Sequence, residues 1–263
     1  MNSSTAKDGI HVINEIAPKT YRIDEDGLAN CYLLLGESSG LLIDSGVGAG
    51  DLLGTLKDLT SLPITLVATH RHCDHVGNRN CFKEYYVHPN DRGFIYALLS
   101  SKPASKAIIA EWKLPLKLSK KPYHSHIRYL QPNQTFDLGG RVISYELIPG
   151  HTKGSVIYLD PLTHIAFCGD DVNPYLWLQL PGCTNITTWL PGAKRVAELA
   201  KTYTLYAGHN TGLIARDEVV GLIALAEKIR ALNGQGVFHH KTFSFPGNNS
   251  ALPRITISKK NAR

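Results

Sequence analysis

Long apolar runs are what this sequence most plainly lacks. Its longest hydrophobic stretches cover a few positions each, far short of the ~20 residues a helix needs to cross a bilayer. No membrane span is therefore expected. The opening, Met1 to Lys7, is polar and has no apolar core of a secretory leader. Cysteine is sparse: positions 31, 73, 81, 168 and 183 give an odd count without a Cys-x-x-Cys pair. That pattern argues against a zinc knuckle, a dithiol redox motif and a disulfide scaffold, and it suits reduced thiols in a cytoplasmic protein. Repeats, low-complexity tracts and Gly/Ser-rich linkers are also missing, so one domain over residues 1–263 is expected. Charge is modest, with 28 basic against 22 acidic residues. Much of the excess sits in two short runs, Lys113 to Lys121 and Lys259 to Arg263. Such runs read as solvated surface and tail, and nucleic acid is not an expected partner.

What is present is an ordinary globular composition, 43% hydrophobic and 19% charged, enough to build a sizeable core. Asn30 to Leu35 and Leu41 to Ile43 are short apolar runs around a Gly36–Gly40 turn, the pattern of a hairpin. Asp51 to Leu59 has helical apolar spacing with Asp51 as N-cap. Ile64 to Thr69 is a β-rich run ending at His70. Asp91 to Trp112 is expected to be helical in part, and the stretch 90–125 reads as an insertion covering one edge of the site. Strands are expected at His126–Leu130, Thr135–Leu138, Val142–Ile148, Ser155–Leu159 and His164–Cys168. Helices are expected at Ala193–Ala200, after Pro191-Gly192, and at Asp217–Leu232, whose terminal charges suit the helix dipole. This order suggests stacked sheets with helices outside, an α/β (α+β) arrangement, rather than strict βαβ alternation.

The chemistry is concentrated in His70-Arg71-His72-Cys73-Asp74-His75. Imidazole and carboxylate suit zinc and similar borderline metals. His70 and His72, two apart in an extended segment, project to one side, and a following turn can bring Asp74 and His75 alongside. Three further ligand types each follow a short apolar run and a glycine: His151 after Gly150, Asp170 after Gly169, and His209 after Gly208. Cys73 should point away from the ligands. Asp171 reads as a hydrogen-bonding neighbour of Asp170. His124, His126, His239 and His240 read as surface residues. Tyr175 to Leu178 suits either a core strand or a pocket wall.

Taken together, these segments resemble the metallo-β-lactamase-fold hydrolases, from about residue 28 to 215. The matching elements are His-x-His-x-Asp-His at 70–75, Pro149-Gly150-His151-Thr152, Gly169-Asp170, Gly208-His209 and the early turn Leu42-Ile43-Asp44-Ser45-Gly46. The resemblance implies an αββα sandwich with the metal site on one rim. It implies that His70, His72 and His151 bind a first metal, that Asp74, His75 and His209 bind a second, and that Asp170 bridges them. Asp44 would hold ligand loops by hydrogen bonds. The implied cofactors are two divalent ions, zinc first, with iron or manganese as alternatives. The implied activity is hydrolysis of an ester, thioester, lactone or related small molecule by metal-activated hydroxide, with Asp74 accepting a hydrogen bond from the nucleophile. A mononuclear iron persulfide dioxygenase is the alternative from another class. A nuclease or β-lactamase fits less well: no exosite arm is visible, and the commonest zinc β-lactamases carry cysteine where Asp170 stands and lack His75. Substrate identity and oligomeric state stay open at this level.

Overall fold

A computed structural model of the chain describes residues 3–111, 125–210, 212–232, 240–244, 254–258 and 261–262. One sheet takes its eight strands in chain order: β1 (Ser3–Thr5), β2 (His11–Ala17), β3 (Thr20–Glu25), β4 (Ala29–Leu35), β5 (Gly40–Ile43), β6 (Ile64–Val67), β7 (Glu84–Val87) and β8 (His126–Tyr129). Strands β1 through β5 pair antiparallel, and β5 through β8 pair parallel. Parallel neighbours need crossovers, which α1 (Leu52–Leu59), the single turn α2 (Cys73–Val76), α3 (Phe94–Leu99) and α4 (Lys102–Glu111) help to supply. Asp51 caps α1 as the sequence suggests, its carboxylate accepting from the Gly54 amide at 3.2 Å.

The second half forms β9 (Thr135–Asp137), β10 (Val142–Leu147), β11 (Val156–Asp160), β12 (Ile165–Gly169), β13 (Tyr175–Leu178), α5 (Ile186–Leu199), β14 (Thr204–Ala207), β15 (Leu213–Ile214), α6 (Arg216–Ala231), β16 (His240–Ser244) and β17 (Arg254–Ser258). Six of these strands make a sheet in the order β15-β14-β12-β11-β10-β9, and three make a small sheet in the order β13-β17-β16.

Period-two alternation explains how the layers stack. From β4, Tyr32 and Leu34 face Val156, Tyr158, Ile165 and Phe167 of the six-stranded sheet across the central core. Cys31, Leu33 and Leu35 point the other way, onto Leu52 and Leu56 of α1. On the far side, Ile157, Leu159, Ala166 and Cys168 meet Val196, Ala197 and Leu199 of α5. Helix, sheet, sheet and helix follow in order, the αββα sandwich that the resemblance implied. The small sheet closes one flank, where Leu176, Leu178, Ile255 and Ile257 pack on α5 and α6.

Several elements depart from the sequence reading. Helix α5 begins at Ile186, not near Ala193, because the Asn185 side chain caps it at 2.8 Å from the Thr188 amide; Pro191 lies inside it. Strands β2 and β3 were not foreseen, since their buried positions include the polar His11, Thr20 and Glu25, which hide the apolar alternation. The parallel pairing of β13 with β17 joins segments far apart in sequence. Residues 112–124, which hold the whole first basic run and His124, lie outside the described residues, as does His239. His126 is exposed on β8.

Candidate metal centre

All seven expected ligands meet at the rim where the two sheets present their strand ends. His70 follows the end of β6 by three residues, and His72 sits in extended backbone as the N-cap of α2. The turn of α2 then swings Asp74 and His75 inward. From the facing sheet, Asp170 follows β12 directly, His209 follows β14, and His151 lies between β10 and β11. Three groupings bring ligand atoms within 4.8 Å of one another: His70, His72 and His151; His70, His75 and Asp170; and Asp74, His75 and His209. Asp170 Oδ2 lies 3.1 Å from His209 Nε2, 3.5 Å from His75 Nε2 and 3.7 Å from His151 Nε2. It thus faces both the all-histidine set and the mixed set.

The glycine before each downstream ligand has a physical reason. Gly169 has φ +54°, and a Cβ there would meet Thr69 Oγ1 at 2.6 Å. A Cβ on Gly208 would meet both Asp170 Oδ1 and His75 Cε1 at 2.6 Å. The two strand ends can approach only without side chains at these points.

The outer nitrogens of four of these histidines are tied down. His151 Nδ1 lies 2.9 Å from the Trp177 carbonyl oxygen and His209 Nδ1 lies 2.6 Å from that of Leu28. A carbonyl can only accept, so Nδ1 carries the proton and Nε2 is turned inward. His75 Nδ1 lies 2.8 Å from Asp44 Oδ2. The same carboxylate accepts from the Thr69 amide at 2.7 Å and the Thr69 hydroxyl at 2.8 Å. Thr69 Oγ1 in turn lies 3.1 Å from His70 Nδ1. Asp44, buried at φ +62°, therefore steers two histidines, one directly and one through Thr69.

The inward atoms are different. Nε2 of His70, His72 and His75 and Oδ1 of Asp170 are buried without a hydrogen-bond partner, and His72 Nδ1 and His151 Nε2 approach to 2.9 Å. Buried polar atoms are rarely left so. A cation among them would satisfy these lone pairs, and the donor set of imidazoles and carboxylates is one that borderline divalent metals take. The residues fit such an ion.

Electrostatics divides the centre. Burial, then the neighbouring imidazoles His75, His72 and His151, holds His70 well below the usual histidine range. Burial and His151 bring His72 down to about 3, and burial lowers His151. Burial thus disfavours charge on all three. At the other end burial opposes charge on His75, but Asp170, Asp44 and Asp74 hold it well above its ordinary value. The same contest, led by Asp170, raises His209 to about 9. Burial likewise resists ionisation of Asp170, yet His209 and His75 hold it well below the carboxylate range. The carboxylate end thus draws positive charge. It also reaches solvent: the side chains of Asp74 and His209 are 15% and 20% exposed, against 3% for His151 of the all-histidine set.

The neighbours behave largely as the sequence suggested. Cys73 is buried, its thiol against Ser105 of α4 and pushed up to about 12 mainly by burial. It joins none of the metal-competent groups. Asp171 turns away from the centre and accepts from the His151 amide at 2.8 Å. The tract at β13 does two things: Leu176 and Leu178 are core, Tyr175 and Trp177 are exposed, and the Trp177 carbonyl orients His151. Thr69 and the carbonyls of Trp177 and Leu28 were not anticipated. Thr69 could have been suspected from its place beside His70; the carbonyls carry no signal in residue type.

Comparison with known proteins agrees with this geometry. A profile of the metallo-beta-lactamase superfamily matches residues 24–209. The chain belongs to that superfamily. Among characterised relatives, acyl-coenzyme A thioesterase MBLAC2 of Gallus gallus is 28% identical over 194 residues, 65% of this chain and 67% of that protein. Its Homo sapiens counterpart is 26% identical over 213 residues, covering 73% and 74% respectively. Among solved structures, TTHA1623 in a di-iron-bound form is 26% identical with a TM-score of 0.51, covering 72% of this chain and 90% of that one.

Proposed function

We propose that this chain is a metal-dependent hydrolase acting on a small thioester of the acyl-coenzyme A type. The observation that carries the reading is the convergence of an all-histidine set and a mixed set on one rim, with Asp170 Oδ2 facing both. In this reading His70, His72 and His151 would hold one divalent ion and Asp74, His75 and His209 a second, with Asp170 facing both sets. Such ions, zinc first and iron or manganese as alternatives, would supply an activated water and Lewis-acid polarisation of the acyl oxygen. The chain's own residues do the rest. Asp74, at the solvent side, accepts a hydrogen bond from the attacking water and aims it. Asp44, Thr69 and the two carbonyls keep His70, His75, His151 and His209 in the tautomer that presents the inner nitrogen.

The thioester class rests on the relatives, whose names state acyl-coenzyme A thioesterase; the pairing of ions is supported by the di-iron form of TTHA1623. Two features bear on the setting. No disulfide joins the described cysteines, which suits the cytoplasm. No helix among the described residues is long and apolar enough to cross a membrane. Helices α3 and α4 open the 90–125 stretch, and Ser105 of α4 reaches Cys73 inside the metal motif, which suits a lid at this edge of a single domain.

Chelator-stripped protein, reloaded with known equivalents of zinc, should release free thiol from acyl-coenzyme A substrates in a metal-dependent way. One iron per chain with oxygen consumption on glutathione persulfide would instead identify the dioxygenase. Turnover of lactones or simple esters with no thioester activity would keep the hydrolase and discard the thioester.

A further inference from the structure

Two of the buried carboxylates beside the centre have roles above: Asp44 holds Thr69 and His75, and Asp171 holds the His151 amide. A third, Asp91, has none. It ends the short 3-10 turn Pro89–Asp91 after β7 and is completely buried. Its Oδ2 accepts from the Arg71 amide at 3.1 Å and from the Thr152 hydroxyl at 3.0 Å. Its Oδ1 accepts from the Gly154 amide at 2.7 Å. Its backbone carbonyl takes a further bond from Arg71 Nη1 at 3.3 Å.

These partners are not scattered. Arg71 stands between His70 and His72, and Thr152 directly follows His151. One carboxylate therefore joins the two loops that carry the all-histidine set, and none of its bonds reaches Asp74, His75 or His209. The receiving loop is shaped for it. A Cβ on Gly154 would meet the Asp91 carboxyl at 2.7 Å. Thr152 is fixed by Ser155 on two sides, its amide at 3.0 Å and its hydroxyl at 2.9 Å from Ser155 Oγ. Two loops from different sheets are thereby locked at a set separation, and His72 Nδ1 lies 2.9 Å from His151 Nε2 across that gap.

We propose that Asp91 is a positioning residue that sets the spacing of the His70–His72 segment against His151, and so the affinity of the three-histidine site alone. The inference rests on the metal-binding reading above. Outer-shell partners of metal ligands typically govern affinity by about 10- to 100-fold, and Asp91 acts on the first site without touching the ligands of the second.

The test is zinc and cobalt titration of stripped protein against a competing chelator, for wild type, Asp91→Asn, Thr152→Val and Thr152→Ser. The cobalt absorption bands report the two sites separately. Asp91→Asn should weaken one of two ions by about 10-fold or more and change the bands of that site, leaving the other constant. Thr152→Val should do the same to a smaller extent, and Thr152→Ser, which keeps the hydroxyl, should match wild type. A merely structural role would lower the melting temperature of the metal-free protein while leaving the ratio of the two constants unchanged. That result, or unchanged constants at both sites, would overturn the proposal. Wild-type protein that binds no divalent metal would instead remove the metal reading itself, and the Asp91 proposal with it. If wild type binds a single ion, an affinity unchanged by Asp91→Asn would likewise overturn the proposal.

Discussion

Two clusters of buried charge in this fold are built from similar groups and end up opposite in character. At Arg141 and Asp160, away from the metal rim, the guanidinium bonds Asp160 Oδ2 through Nε at 3.2 Å and Nη2 at 2.5 Å. Its remaining donors reach Thr20 Oγ1 and the carbonyls of Lys19 and Leu35, while Asp160 also accepts from Thr163 and the Leu162 amide. That cluster is satisfied within the chain. At the rim, His70, His72, His75 and Asp170 keep buried atoms without partners, although the outer nitrogens of His70, His75, His151 and His209 are all bonded. A closed network holds strands together. One left open on its inner side, with most of its outer contacts made, is prepared for something the chain does not itself supply.

Several variants would break or sharpen that contrast. The largest effect belongs to Asp170→Ala, which should abolish turnover and lower metal occupancy, as measured by metal analysis and initial rates. In the metal-free state the same variant should also lose stability in denaturant unfolding, because it removes the charge partner of buried His75 and His209. If Asp170→Ala keeps full activity while Asp171→Ala loses it, the two aspartates have been assigned the wrong way round. Arg141→Ala should cost about 3–5 kcal/mol in denaturant unfolding, because it strands a buried carboxylate, and should leave metal affinity near wild type. Asp44→Asn should weaken metal binding by about 10- to 100-fold with a milder loss of stability. The smallest effect is expected for Arg195→Ala: its bidentate bond to Glu146 is largely exposed, and such pairs contribute about 0–1 kcal/mol.

The sequence was most legible where one residue type has one reason to be present. His-x-His-x-Asp-His directly after a β-rich run announces metal, and glycines before His151, Asp170 and His209 mark strand ends that must pass closely. The sandwich was legible through the short apolar runs that form β4, β11 and β12, each buried throughout. It failed in β2 and β3, where buried His11, Thr20 and Glu25 look like surface residues until Glu25 is seen accepting the amides of Val47 and Ala49. The start of α5 was obscured by Pro191, whose helix-breaking tendency is outweighed by the Asn185 cap and by burial of Trp189 and Leu190. Asp91 escaped notice because a carboxylate that binds amides from two distant loops has no pattern in one dimension. The supporting carbonyls of Trp177 and Leu28 escaped for a simpler reason: every residue has one.

The most direct measurement is the initial rate of thiol release from an acyl-coenzyme A by stripped protein as zinc is added in defined equivalents. Activity should be absent without metal, rise with added zinc and level off near two equivalents per chain. Thiol release that survives stripping, or none at any zinc level, would contradict the account.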